Sequence, residues 1–362
     1  MTYKKTLKVA LKVFIALLLV LILVAVAYLS YVVFSYKRIP DNQVLTVEQT
    51  GKTEALTIGQ SYTAIIQNLG FGAYTQDFTF FMDGGTESWA KSKESVIDCI
   101  NTAADKVTEY SPDFILFQEV DFDSTRSYHV DQKQMLLERF GGYSSAFAVN
   151  YNSAFLFYPF NQPHGASKSG ILTLSKYNIS SSLRRSLPIS ESFSKFLDLD
   201  RCYSVSRVPV ENGKELVIYN VHLSAYGGSD EIRTAQMTML FNDMKTEYEK
   251  GNYCVCGGDF NHDFTGDSTQ KLNGGQEVDF GWAQPFPDDL LPDCINKCTD
   301  YEGETFVSTC RNCDIPYEEG NFTIIVDGFL VTENVEAVLV KNIKTDFVYS
   351  DHNPVYLEFI LK

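Results

Sequence analysis

Several residues able to do acid–base or metal chemistry stand at the ends of short apolar runs. Asn68 follows Ala64-Ile65-Ile66-Gln67, and Gln118-Glu119 follow Phe114-Ile115-Leu116-Phe117. Asn220-Val221-His222 follow Leu216-Val217-Ile218-Tyr219, and Gly258-Asp259-Phe260-Asn261 follow Tyr253-Cys254-Val255-Cys256. Ser350-Asp351-His352 closes the series near the C-terminus. Apolar runs this short read as buried strands, so five strand ends would deliver Asn, Glu, His, Asp/Asn and Asp/His. Acids and histidines gathered in this way suit metal-assisted phosphoester hydrolysis, which needs oxygen ligands for a cation, a base for water and donors for phosphoryl oxygens.

Each residue alone has a plainer reading. Gly258-Asp259-Phe260-Asn261 could be a structural turn, His222 a satisfied core histidine and Glu119 a helix cap or surface acid. Asp327, beside Gly328, could cap a turn. Asp121 and Asp123 read as solvated loop charges. Lys168, Lys176, Arg184, Arg185 and Arg201 are either phosphate contacts or surface cations, and Tyr128, His129 and His164 lie where they could flank a cleft.

The elements that must position these residues can be outlined. Side chains two apart share a strand face, so Asn220 pairs with His222 and Asp259 with Asn261. Further strands are expected at Ser169 to Ser175, Arg201 to Val210, Phe322 to Val331 and Val355 to Leu361. Asn212-Gly213 marks a hairpin. Val96, Ile97, Ile100, Ala103, Ala104 and Val107 follow helical spacing, with Pro112 enforcing a stop. A second helix is expected from an N-cap at Ser229 to a stop at Gly251. Helices alternating with strands point to an α/β (α+β) mixed sheet system. Residues 264–323 read as a loop-rich insertion rather than a separate domain.

The chain has 362 residues, 44% of them hydrophobic, with 26 Phe and 21 Tyr, enough for a sizeable core. Its net charge of −16 argues against a general nucleic-acid coat, because phosphate contacts depend on Lys and Arg. From Val13 to Phe34 no charge interrupts the apolar run, which is long enough to cross a bilayer core of about 30 Å. Lys4, Lys5, Lys8 and Lys12 precede it, so the N-terminus is expected inside and the rest of the chain outside. The expected organisation is a basic cytoplasmic N-terminus (1–12), a transmembrane helix (13–36), a stalk with at most one edge strand (37–60) and a catalytic domain (61–362). The lipid bilayer is then a partner through residues 13–36. Ala25-Val26-Ala27 keeps a cleaved signal peptide and a secreted product open as the alternative.

Read in order, Asn68, Gln118-Glu119, Ser169 to Ser175, Asn220-Val221-His222-Leu223, Gly258-Asp259-Phe260-Asn261, Val326-Asp327-Gly328-Phe329 and Ser350-Asp351-His352 resemble the endonuclease/exonuclease/phosphatase superfamily, the deoxyribonuclease I-like enzymes. The resemblance implies a four-layer αββα sandwich with the site at one end, here preceded by one transmembrane helix. It implies Mg²⁺ as cofactor, with Mn²⁺ as an alternative, held chiefly by Glu119 with help from Asn68 and Asp351. By the same resemblance Asp259 orients or deprotonates the attacking water, and Asn261 helps hold phosphate or metal. His222 donates to a phosphoryl oxygen, and Asp327 fixes the tautomer of His352. Oxygen ligands and retained waters are what Mg²⁺ prefers.

The substrate stays open between a phospholipid or sphingolipid headgroup and a nucleic acid, and between monoester and diester. A catalytically silent binding module of the same fold is the reading from another class, and no obligate protein partner is expected. Cys294, Cys298, Cys310 and Cys313 could form disulfides, a zinc site or free thiols. Cys99, Cys202, Cys254 and Cys256 read as core residues.

Overall fold

The computed structural model describes residues 2–196, 198–225, 229–274, 282, 284–299, 306–318 and 320–362. Helix α1 (Thr2–Ser35) is continuous, and from Lys5 to Ser35 it is long and apolar enough to cross a membrane. The remainder is built on two seven-stranded sheets. The first contains β2 (Val47–Glu48), β3 (Ser61–Asn68), β4 (Phe114–Asp121), β5 (Ser144–Asn152), β6 (Lys168–Ser175), β17 (Val335–Asn342) and β18 (Val355–Leu361), in the order β17-β18-β3-β4-β6-β5-β2. The second contains β1 (Gln43–Val44), β7 (Ser181–Ser186), β8 (Cys202–Pro209), β9 (Glu215–His222), β10 (Tyr253–Asp259), β13 (Ile295–Lys297) and β16 (Asp327–Thr332), in the order β1-β7-β8-β9-β10-β16-β13. Two short ladders join β11 (His262–Asp263) to β12 (Gln284–Pro285) and β14 (Cys310–Arg311) to β15 (Thr323–Ile324).

The sheets pack face to face. Ala64, Ile66, Phe114 and Leu116 of the first meet Leu216, Ile218, Val255 and Phe329 of the second in one buried cluster. Alternate residues of the same strands point outward and are covered by helices. Helix α2 (Lys93–Thr108) buries Val96, Ile100, Ala103 and Val107 against Ile65, Ile115 and Phe117. The Ser92 hydroxyl accepts the Ser95 amide at 3.1 Å and caps its start. The short α3 (Gln132–Arg139) joins this layer through Leu136. On the opposite face α4 (Asp230–Glu249) lays Met237, Leu240, Phe241 and Met244 over Val217, Tyr219, Cys254 and Cys256, and Gly251 follows its end at φ +82°. The small α5 (Ser268–Leu272) sits beside β15. Helix, sheet, sheet and helix make the expected four layers.

Three local expectations differ from the structure. Residues 37–60 give an edge strand to each sheet, since β1 pairs with β7 and β2 with β5, and Leu45 and Leu56 are buried. This segment therefore packs onto the sandwich instead of standing clear of it. The run Phe322 to Val331 is not one strand. It breaks at Ile325-Val326, whose carbonyls accept from Phe264 and Phe260 at 2.8 and 3.0 Å, so β15 pairs with β14 while β16 pairs with β10. Finally, the loop-rich 264–323 segment supplies β13, an edge strand of the second sheet. Of its cysteines, Cys294, Cys310 and Cys313 are free thiols, and Cys298 packs into the inter-sheet cluster.

Candidate functional site

Register brings the chemically capable residues to one end of the sandwich. In the parallel pair β9/β10, His222 stands opposite Asp259, and in the antiparallel pair β10/β16, Asp259 stands opposite Asp327. In the parallel pair β3/β4, Asn68 stands opposite Gln118. Glu119, Asp351, His352, His222, Asp259 and Asn261 all line one cavity of about 290 Å³.

Glu119 is not simply a strand-end residue. Strand β4 continues to Asp121 through a bulge between Phe117 and Val120, and Glu119 has φ +54°. The bulge re-aims the carboxylate into the cavity, a common use of this irregularity beside functional sites. Asn68 is buried, and its amide nitrogen donates to Asp259 Oδ2 at 3.1 Å and to Glu119 Oε1 at 3.4 Å. Its Oδ1 accepts the Gly70 amide at 3.0 Å. Gly70 itself has φ +50°, and a Cβ there would stand 2.5 Å from Asp351 Oδ1, so glycine is needed for close passage of the backbone.

The two histidines carry opposite electrostatics. His352 Nδ1 lies 2.8 Å from Asp327 Oδ2, and its Nε2 faces Asp259 Oδ2 at 3.9 Å. Burial is the largest single influence and works against its charge, but Asp327, Cys310 and Asp351 together outweigh it and raise its pKa well above the ordinary value. Among the described residues His222 has no hydrogen-bond partner at Nδ1, while its Nε2 lies 3.6 Å from Asp259 and 3.8 Å from Glu119. Burial, with the positive charges of Arg201, His352 and Arg126 adding to it, lowers its pKa well below the ordinary range. The surroundings thus favour the neutral form of His222 and the charged form of His352.

Burial also pushes Asp259 up to about 7, with His352 opposing and Asp327 adding to the rise. Asp351 is likewise pushed up to about 7 by burial, opposed by His352 and helped by Glu119. Such crowding of carboxylates is relieved by a cation. Ligand atoms of Asp259, Asp327 and His352 lie within 4.8 Å of one another and form a possible acidic/histidine metal-binding group. The Nδ1 of His352 is already bonded to Asp327, however. Glu119 and Asp351 line the same cavity and, with the Asn68 amide packed behind Glu119, make a set richer in oxygen. Asn261, with φ +51°, uses its backbone N–H on Asp259 Oδ1 at 2.8 Å and its amide nitrogen on the Leu223 carbonyl at 2.9 Å, so it orients Asp259.

Other sequence readings resolve differently. Asp121 is fully buried rather than solvated, held by Arg126 at 2.9 and 3.1 Å and by the Ser127 hydroxyl at 2.8 Å. Arg126 lines the cavity over the Phe71 ring at 4.0 Å and was not singled out in sequence. Burial opposes its charge, but Asp121 more than restores it and raises its pKa. Among the five candidate cations only Arg201 lines the cavity. It is 4% exposed, with Nη1 on the Leu223 carbonyl at 2.8 Å and Nε without a partner among the described residues. Arg184 is buried but bonds the Val149 and Asp200 carbonyls, Arg185 engages Asp41 and Asp243, Lys168 pairs with Asp123, and Lys176 bonds the Ser111 carbonyl. Arg311 also lines the cavity, with Nε and Nη1 unpartnered among the described residues. His164 reaches the cavity, whereas His129 pairs with Asp123 on the surface and Tyr128 bonds the Lys91 carbonyl. Asn220 is spent between the sheets: it accepts from Gln118 at 2.7 Å and donates to the Leu172 carbonyl at 3.1 Å.

A sequence profile described as "Endonuclease/Exonuclease/phosphatase family" matches residues 84–352. No curated protein sequence matches the chain. Among solved structures, an endonuclease/exonuclease/phosphatase from Beutenbergia cavernae superposes with a TM-score of 0.59 at 16% identity, over 83% of this chain and 72% of that one. One from Bacteroides vulgatus gives 0.52 at 16% identity, over 84% of this chain and 100% of the other. The human nocturnin catalytic domain with bound sulfate gives 0.52 at 16% identity, over 88% of this chain and 98% of that one. At these identities the superpositions establish the shared fold.

Proposed function

We propose that this chain, which belongs to the endonuclease/exonuclease/phosphatase family, is a membrane-anchored phosphoesterase that hydrolyses its substrate with a divalent cation, Mg²⁺ or Mn²⁺. The single observation that carries the reading is the Asp327–His352 pair set beside Asp259, with His352, Asp259 and His222 lining one cavity. A binding module would have no need of a charged and a neutral imidazole side by side with crowded acids.

Glu119 and Asp351, with Asn68 beside them, are the residues suited to hold the cation. When bound, it would neutralise phosphoryl charge and lower the cost of attack. Asp259, with its raised proton affinity and its Oδ1 fixed by the Asn261 amide, is placed to orient and deprotonate water. His352, kept charged by Asp327, is placed to donate from Nε2 to an anionic phosphoryl oxygen. His222, neutral, donates one proton at Nε2, the edge drawn toward Glu119 and Asp259. Arg201 adds positive charge to the cavity wall.

Lys4, Lys5, Lys8 and Lys12 before the apolar segment support a cytoplasmic N-terminus and an outward-facing catalytic domain. The test is hydrolysis by the full chain in detergent across DNA, abasic DNA, RNA, sphingomyelin, phosphoinositides and bis-p-nitrophenyl phosphate, with Mg²⁺ or Mn²⁺ and with chelator. Cation-dependent cleavage of at least one is expected. Silence on all of them would favour the binding-module reading, and cleavage confined to nucleic acid would favour an extracellular nuclease.

A further inference from the structure

The hairpin after β5 carries an unusual amount of exposed aromatic surface. Leu156 and Gly165 exchange backbone hydrogen bonds of 3.0 Å in each direction and close its base. The Trp89 indole donates to the Pro163 carbonyl at 2.7 Å and fixes one arm. Beyond this base Phe157, Tyr158 and Phe160 are 50%, 64% and 85% exposed, and Met82, next in sequence to the Phe81 that packs on Tyr158, is 52% exposed. Three such aromatics at one hairpin tip, with an apolar neighbour, form the kind of patch that marks an interaction surface.

What the patch meets is indicated by α1. The Tyr28 ring lies 5.0 Å from the Phe157 ring, and the Tyr28 hydroxyl donates to the Phe155 carbonyl at 3.1 Å. The amide of Phe155 donates to the Tyr31 hydroxyl at 3.2 Å, and that of Phe157 to the Tyr28 hydroxyl at 3.3 Å. Counting from Val13, the first residue after the last charge, roughly 20 helical residues cover the ~30 Å hydrocarbon core. That length ends near Val32. Tyr31 therefore falls at the outer edge of the core and Tyr28 one turn, about 6 Å, inside it, at the boundary where Tyr and Trp rings concentrate. The hairpin bonded to them stands at the same depth.

The same hairpin reaches the cavity. Tyr158 packs against Phe81 at 5.8 Å, Phe81 against His164 at 5.9 Å, and Phe80, Met82 and His164 line the cavity. A volume of about 290 Å³ holds on the order of ten waters, which suits a headgroup better than a duplex.

We infer that the 155–160 hairpin tip is seated in the outer interface of the bilayer that α1 crosses and turns the cavity toward lipid-borne phosphoesters. The location stands on geometry alone, while the substrate class rests on the phosphoesterase reading above.

Two arms test it on the full chain reconstituted in phosphatidylcholine/phosphatidylglycerol vesicles. In the first, Phe160→Trp adds an emitter to the two native tryptophans. Lipid brominated high on the acyl chain should quench the added emission. Insensitivity to bromolipid would overturn the location and point to a second copy or a protein partner on the patch. In the second arm, Phe157→Ser/Tyr158→Ser/Phe160→Ser should lose tenfold or more on vesicle phospholipid while keeping bis-p-nitrophenyl phosphate hydrolysis within twofold. Phe160→Ala, whose ring contact is with Tyr158, should show the same direction and guards against misfolding of the triple variant. Equal effects on both substrates would overturn the substrate class. So would a native chain that cleaves bis-p-nitrophenyl phosphate but no phospholipid. A native chain silent on both would instead overturn the phosphoesterase reading, with the quenching arm still deciding the location.

Discussion

Asp327 Oδ2 holds His352 Nδ1 at 2.8 Å, while the second oxygen of Asp327 is buried without a partner among the described residues. The carboxylate is thus committed to one task, fixing the ring so that Nε2 faces Asp259 and keeping it protonated. Asp327→Asn can preserve the shape of the contact but removes the charge that stabilises the imidazolium. We expect a fall in kcat of about 10²–10⁴, the usual range for a lost acid–base contribution, with a smaller change in KM. Steady-state kinetics on bis-p-nitrophenyl phosphate checks this. A change confined to KM would place the pair in binding instead.

Glu119 reaches the cavity only because of the bulge at its own position, and that makes its assignment testable by metal titration. Chelator should abolish hydrolysis, and Mg²⁺ at a hundred times its Kd should stabilise the fold by about 2.7 kcal/mol. Glu119→Gln should raise the Mg²⁺ concentration needed for half-maximal activity by tenfold or more. The Mg²⁺-induced rise in Tm, read by thermal shift, should shrink with it. An unchanged Mg²⁺ requirement would move the ligand role to the Asp259, Asp327 and His352 group.

The contrast between these two residues shows what the sequence could convey. His222 and Asp259 end regular apolar strands, so alternation and position put them at strand ends. Asp351-His352 lies in the segment before β18, and its meeting with them is what the family resemblance implies. The αL turn of Glu119 leaves no pattern in composition, and the residue was found because an apolar run preceded it. Asp121 and Arg126 were misread or missed for a different reason. Their ion pair closes across a loop, and a charge five residues from another carries no mark of burial. Edge strands of two residues at 43–48 are too short for periodicity to register. The break at Ile325-Val326 was hidden because its two halves are both apolar.

Asn220 belongs to the motif around His222 yet bridges the two sheets. It accepts from Gln118 at 2.7 Å and donates to the Leu172 carbonyl at 3.1 Å, with Thr173 Oγ1 at 3.3 Å. Asn220→Ala would leave buried polar groups unpaired, at a cost of about 1–3 kcal/mol. We expect a Tm lowered by several degrees and a per-molecule kcat, measured well below that Tm, close to the native value. A large kcat loss in a protein of unchanged Tm would instead make Asn220 part of the reaction.

His164 offers a stability test away from the acids of the site. Burial lowers its pKa to about 3, with the Arg126 charge contributing, and its Nδ1 has no partner among the described residues. The unfolded chain takes up this proton near the ordinary value of 6.5 and the folded chain does not. Above pH 6.5 the residue therefore adds no pH dependence. Below it stability falls, by about 1.4 kcal/mol per pH unit, until the folded value near 3 is reached. Asp259 and Asp351, pushed up to about 7, act with the opposite sign and gain stability as pH falls toward the carboxylate range. The informative quantity is therefore the difference between the native chain and His164→Gln, measured as Tm from pH 7.5 to 5. The variant should lose less stability than the native chain over that interval, and parallel curves would show that His164 accepts its proton inside the fold.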